Sequence, residues 1–222
     1  EMYTEVVQDS VMKLLLSGRC KFASTCSMTF SHEAMMEFFD HIDKLHDKLL
    51  MRPSEISNNP EVIRRIGVIS MNTAIECDIF GNINSSHIGG TRLMNGIGGS
   101  GDFTRNAYTS IFLCPSIKKD DTISTIVPMV THVDHTVHSV DIIITDQGVA
   151  DLRAKDPIQA AEEIIEHAAH PVYRPLLREY LKLSKGGHIV QNLDYALSFH
   201  RALLKDGDMR KADFSKFLAD DK

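Results

Sequence analysis

The run VDIIITD, Val140–Asp146, constrains the fold more than any other stretch of this chain. Three consecutive isoleucines flanked by turn residues read as a strand buried inside a sheet, and STIVPMV, Ser124–Val130, reads the same way. Helical patterns alternate with these strands. From Thr4 to Leu16 the apolar positions Val7, Val11, Leu14 and Leu15 recur at helical spacing until Ser17-Gly18, which puts Glu5 in the first turn of a helix. CKFAST reads as a short strand, and Ser31 then caps a long helix through Met35, Phe38, Phe39, Ile42 and Leu45. RIGVISM and AIECDIFG are strand-like on either side of Asn72-Thr73, and their spacing predicts a hairpin. Asp102 is placed to cap a helix running to about Phe112. From Pro157 on the pattern is mainly helical, including IQAAEEIIEHAAH and NLDYALSFHRALL, with a charged tail from Lys205 free to fray. This order predicts an α/β fold: one three-layer α/β/α domain with a mainly parallel sheet over residues 1–204, closed by C-terminal helices, and a tail at 205–222.

NGIGGSGDFTRN, Asn95–Asn106, concentrates glycine where φ must be positive or where a ligand must approach the main chain. It contains G-x-G-x-x-G at Gly96, Gly98 and Gly101, the spacing of a dinucleotide fingerprint. Such a loop should follow directly on a hydrophobic strand, whereas SSHIGGTRLMN before Gly96 is polar and itself carries glycine. Two readings of the loop remain. It is a tight turn between elements, or it offers bare N–H groups to a ligand other than a dinucleotide.

Charge narrows the partners. Lys and Arg number 24 against 30 Asp and Glu, a net charge of -6, which argues against a nucleic-acid groove or an anionic membrane surface. There is no apolar run of the length a membrane helix needs and no signal peptide at Glu1. Four cysteines, Cys20, Cys26, Cys77 and Cys114, lack the C-x-x-C spacing of a zinc ribbon, and a reducing intracellular compartment is expected. The chain opens without a start methionine and reads as a segment of something longer.

THVDHTVHS brings His132, Asp134, His135 and His138 close together, residue types that ligate zinc or a two-metal centre. The later histidines His167, His170, His188 and His200 supply no matching ligand spacing, so a hydrogen-bonded polar turn between two buried strands is expected, with no metal. Asp146 stands at the carboxyl end of a strand, where α/β sheets place functional groups, or is only a turn residue. A glutamate such as Glu5 in a first helical turn ordinarily complements the helix dipole.

The long strings MRPSEISNNPEVIRRIGVISMNTAIECDIFGNINSSHIGGTRLMNGIGGSGDFTRNAYTSIF, IVPMVTHVDHTVHSVDIIITDQGVADLR and AHPVYRP resemble the C-terminal half of the acetyl-CoA hydrolase/transferase family. The likeness runs from Tyr3 to about Leu204 and is nearest to succinyl-CoA:acetate CoA-transferases. It implies class I CoA-transferase chemistry, a CoA-transferase/NagB-like fold of two similar α/β domains, coenzyme A as substrate, acyl-CoA and short-chain carboxylate partners, an N-terminal domain supplied elsewhere and a homodimer. Its location would be cytoplasmic, or mitochondrial or a related organelle in a eukaryote.

By the same resemblance Glu5 in YTEVVQD is the nucleophile, and Asn58 in EISNNPE and the Gly99 N–H are oxyanion donors. Asn95 is a CoA contact, and Lys119 in SIKKDD meets the nucleotide phosphates. Where relatives commonly carry TE, this chain has TDQG, so Asp146 stands one methylene short near the nucleophile, either orienting the acceptor acid or tuning Glu5. A 4-hydroxybutyrate or butyrate CoA-transferase, and a CoA-binding fragment inactive by itself, are the alternatives.

Overall fold

A computed structural model describes residues 1–184 and 190–214, and it divides the chain into two compact units. The first comprises Glu1–Val68 with Arg105–Tyr108, and the second Ile69–Thr104 with the residues from Thr109 onward.

The first unit holds two small parallel sheets. Ala23–Thr25 lies between Met2–Tyr3 and Leu49–Met51, and Val6–Gln8 pairs with Ser27–Thr29, all in parallel register. Parallel neighbours require a crossover, and the helices Asp9–Leu16 and His32–Asp40 provide it. Val7, Val11, Met12, Leu15, Ala23, Ala34 and Leu45 form the core between them. Short-range sequence signals set the helix ends. Ser31 Oγ accepts from Ala34 N at 3.2 Å, and Asn59 Oδ1 accepts from Glu61 N at 3.0 Å ahead of Pro60. Gly67 closes the helix Pro60–Ile66 at φ 68°.

The helix expected from Thr4 instead starts at Asp9, because Val6 and Val7 are drawn into a parallel strand whose Val7 is fully buried. The expected helix through Leu45 breaks at His41 into His32–Asp40 and a single turn, Ile42–Leu45.

The second unit is built on a four-stranded sheet ordered Gly148–Asp151, Ile142–Thr145, Thr109–Leu113, Ile69–Thr73. Its last three strands are mutually parallel, and only Gly148–Asp151 runs antiparallel. A three-stranded sheet of Ile126–Val127, Glu76–Asp78 and Ile83–Asn84 accompanies it. Phe112, Ile143, Ala150, Ile164, Tyr173 and Phe199 belong to one buried cluster, which joins the strands to the C-terminal helices Pro157–His167, Arg174–Leu183 and Ser198–Asp206. Across the described residues the strand pairings are mostly parallel, as the isoleucine run required.

Two expectations fail here. RIGVISM and AIECDIFG form no hairpin: Ile69–Thr73 pairs with Thr109–Leu113, while Glu76–Asp78 belongs to the other sheet. The helix begun near Asp102 ends at Asn106, and the β-branched and aromatic run Thr109–Leu113 becomes the strand central to the parallel part of the sheet. The segment from Lys205 continues the last helix to Asp206, and Met209 and Phe214 beyond it are buried at 2% exposure. Of the tail expected at 205–222, residues 215–222 lie outside the described residues.

Candidate active site

Glu5 and Asn58 belong to the first unit; Asn95, Gly99, Lys119 and Asp146 belong to the second. Glu5 lies at a bend just past the carboxyl end of Met2–Tyr3, ahead of Val6–Gln8, and therefore not in the helical turn expected for it. Its carbonyl oxygen is held from several directions. Thr25 Oγ1 donates at 2.7 Å, Ser27 N at 3.0 Å, Cys26 N at 3.1 Å and Ser27 Oγ at 3.2 Å. A bend with so many donors on one carbonyl has little freedom to shift, so the partly buried carboxylate departs from a fixed backbone. Parallel strands leave such positions at their carboxyl ends, where a side chain is carried clear of the sheet.

Asn58 follows the short helix Ser54–Ser57 and donates its N–H to Ser54 O at 2.7 Å. Cys26 connects it to Glu5. Cys26 Sγ lies 3.8 Å from Asn58 Oδ1 and 3.3 Å from Glu5 O, and Tyr3 Oη donates to Ile56 O from the same stretch of chain. Burial, and after it the negative charge of Glu5, push the Cys26 thiol above its ordinary value. The structure thus brings Glu5 and Asn58 into one neighbourhood that sequence spacing does not disclose.

In the second unit the glycine loop leaves the hairpin of His87–Ile88 and Arg92–Leu93 and enters the helix Ser100–Asn106 directly after Gly99. Within Asn95–Gly101 only Gly98 takes a positive φ, at 55°. Backbone angle therefore demands glycine at Gly98 and not at Gly96, Gly99 or Gly101. Asn95 Nδ2 donates to Ser85 O and to Gly96 O, both at 3.0 Å, fastening the start of the loop. Lys119 is exposed at the tip of the hairpin Ile117–Lys118/Ile123–Ser124, in a left-handed run with Asp120 and Asp121.

Asp146 occupies the turn after Ile142–Thr145, and its carboxylate is engaged. Ser116 N donates to Oδ1, and Ser116 Oγ at 2.9 Å and Gln147 Nε2 at 2.7 Å donate to Oδ2. Burial works against the charge, but these hydrogen bonds outweigh it and hold the carboxyl below the usual aspartate range. The side chain ties the end of one strand to Ser116, beyond the end of its parallel neighbour.

THVDHTVHS is a polar turn. Asp134 accepts from Ser85 N at 2.8 Å and Ser86 Oγ at 2.7 Å, His132 Nε2 stands 3.3 Å away, and the His87 and His132 ring centroids lie 3.9 Å apart with the planes tilted by 40°. His135 is buried at 1% exposure with Nε2 3.1 Å from Ser100 Oγ, whereas His138 is exposed. No group of three or more His, Cys, Asp or Glu arranged to hold a metal ion occurs among the described residues. His167 faces Glu163 at 4.0 Å, and His170 Nδ1 accepts from Val172 N at 3.4 Å. His188 lies outside the described residues.

Sequence reading missed Glu76 altogether. Its Oε1 accepts from Thr131 N and Thr131 Oγ1 at 2.7 Å and from Asn84 Nδ2 at 2.9 Å, and Oε2 meets His200 Nε2 at 2.7 Å. Thr131 and His200 stand 55 and 124 residues away in the chain, so no local motif announces them.

Residues 35–181 match the acetyl-CoA hydrolase/transferase C-terminal domain. The chain is 52% identical over 208 residues to a propanoyl-CoA:succinate CoA transferase of Escherichia coli, covering 94% of this chain and 42% of that protein. It is 53% identical over 211 residues to a succinyl-CoA:acetate CoA-transferase of Clostridium kluyveri, covering 94% of this chain and 39% of that protein. Among solved structures, the 4-hydroxybutyrate CoA-transferase of Porphyromonas gingivalis superposes with a TM-score of 0.64 at 28% identity, over 82% of this chain and 45% of that one. The chain thus spans about two fifths of the length of the curated relatives it matches. With a matching domain across residues 35–181 and more than half of the aligned residues identical to these relatives, the chain belongs to the acetyl-CoA hydrolase/transferase family.

Proposed function

We propose that this chain carries the nucleophile of an enzyme that moves coenzyme A from a short-chain acyl-CoA to a carboxylic acid, with Glu5 becoming a glutamyl-CoA thioester. The observation that carries the reading is the bend at Glu5, whose carbonyl is held by Thr25, Cys26 and Ser27 while its carboxylate stays partly exposed. Attack by that carboxylate on the acyl-CoA carbonyl gives a tetrahedral oxyanion that collapses to a mixed anhydride and expels CoA thiolate. The thiolate then attacks the Glu5 carbonyl, forming the thioester and releasing the acyl group as a carboxylate. An acceptor carboxylate reverses the sequence, frees Glu5 and leaves as the new acyl-CoA. Water in place of the acceptor gives hydrolysis.

Both oxyanions need preorganised donors, roles we assign to the Asn58 amide and the Gly99 N–H. The pantetheine arm is assigned to the bare loop and Asn95, and the nucleotide phosphates to Lys119 as an exposed point charge. Asp146 is already committed to Ser116 and Gln147, which supports a supporting role in place of direct contact with the acceptor acid. The rest of the relatives' length supplies, in this reading, an N-terminal domain that positions the acyl group, and the working unit is a homodimer. Four free thiols, with Cys77 and Cys114 only 3.9 Å apart, suit a reducing compartment, the cytoplasm or a mitochondrial-type organelle.

The test supplies acyl-CoA without acceptor acid to the intact protein. A CoA adduct is expected on the peptide containing MYTEVVQDS, borohydride should reduce the same side chain to an alcohol, and Glu5→Ala should lose adduct and transfer together. An adduct on Glu76 or Asp146, with Glu5→Ala still turning over, refutes the reading. Competition between acyl-CoAs identifies the acid, 4-hydroxybutyrate included.

A further inference from the structure

The turn Ile97–Ser100 has few side chains with which to pack. Ile97 and Gly98 are exposed and Gly99 is buried, but neither glycine has a side chain to anchor, and glycine is the residue whose ordering costs most entropy. Hydrogen bonds anchored elsewhere add to its order. Ser100 Oγ donates to Ile97 O at 2.7 Å, closing the turn from within. A hydroxyl has a single proton to give, so toward His135 Nε2, 3.1 Å away, Ser100 Oγ is the acceptor and Nε2 carries the proton.

His135 is itself immobile. Its N–H donates to Ile83 O at 3.1 Å, its carbonyl accepts from Ile83 N at 2.8 Å, and Ile83 is fully buried. Its ring is buried, with the Phe112 ring centroid 5.0 Å away. A continuous line of contacts therefore runs from a core strand through His135 and Ser100 to the Ile97 carbonyl and encloses Gly98 and Gly99. His135 is one of the four residues of THVDHTVHS that a metal reading would have claimed as ligands.

We propose that His135 is a positioning residue, which through Ser100 fixes the turn that carries the Gly99 N–H. The consequence for turnover rests on the role assigned to Gly99 above; the effect on the turn does not. Small misplacements of a donor at a reacting centre are expensive. In the intact protein, His135→Phe keeps a flat ring beside Phe112 but loses the donor, and kcat should fall about 10²-fold while KM for acyl-CoA moves less than about threefold.

His135→Gln, which offers an N–H at similar reach, should recover most of kcat, a rescue that a purely space-filling role does not produce. Ser100→Ala breaks the same bond without touching the buried ring and keeps the test available if His135→Phe fails to fold. Ser100→Ala combined with His135→Phe should be no slower than the worse single variant, since both remove one link.

Amide hydrogen exchange of Ile97–Ser100, followed by NMR on this chain, reads the turn directly and should quicken about tenfold or more in His135→Phe and Ser100→Ala. Unchanged exchange in both overturns the inference, whatever kcat does. Faster exchange with undiminished kcat leaves the inference standing and sinks the role of Gly99 as a donor.

Discussion

Replacing His200 by Ala tests the buried charge that ties the last helix to the sheet. Glu76 and His200 side chains are each 8% exposed and meet at 2.7 Å. Removing one partner of a buried pair typically costs about 3–5 kcal/mol, because the remaining charge stays out of water. Here Glu76 keeps three donors on Oε1, from Thr131 N, Thr131 Oγ1 and Asn84 Nδ2. The loss should therefore sit at the lower end, about 3 kcal/mol, against a total of about 5–15 kcal/mol for an ordinary domain. With a urea slope of about 2 kcal/mol/M, the unfolding midpoint by far-ultraviolet circular dichroism should fall about 1.5 M.

The pH dependence separates lost charge pairing from lost packing. Burial would raise the Glu76 carboxyl, but the His200 hydrogen bond and charge, with the Thr131 bonds, hold it below the usual glutamate range. A folded-state pKa below the unfolded value of about 4.3 means the stabilisation is complete above that pH and is lost as pH falls through the folded value. The gap between wild type and His200→Ala should accordingly narrow below about pH 4. A loss under about 1 kcal/mol at neutral pH, or a gap that stays constant into acid, refutes the reasoning.

Gly148→Ala places a Cβ 2.9 Å from the His167 carbonyl oxygen at φ 153°, so backbone must give way. A cost of about 2–3 kcal/mol and a thermal midpoint roughly 5–10 °C lower are expected, and a midpoint within about 2 °C of wild type contradicts the close approach. Under native conditions iodoacetamide should alkylate Cys26 slowly and leave the buried Cys20, Cys77 and Cys114 untouched. Glu5→Gln should speed the Cys26 reaction roughly twofold or more at fixed pH, because the carboxylate that helps hold the thiol up is gone. Equal rates in the two proteins would disconnect Glu5 from Cys26.

What the chain disclosed by itself were features decided within a few residues, and features carried by long ordered strings. Ser31 caps its helix through a bond spanning three positions, so the information lies beside the element it governs. The isoleucine run at Ile142–Ile144 implied a buried parallel strand because its composition leaves no wet face. The family resemblance supplied Glu5 and Gly99 as positions of interest.

Tertiary structure decided what depends on remote partners. Val6–Gln8 and Thr109–Leu113 carry patterns that suit a helix equally well, and the neighbours Ser27–Thr29 and Ile69–Thr73 made them strands. Glu76 looked like one carboxylate among many until His200, 124 residues later, was packed against it. The same holds for Cys26 between Glu5 and Asn58 and for His135 beneath Ser100. A buried polar group requires a partner wherever the chain can bring one, and the identity of that partner is fixed only when the core closes.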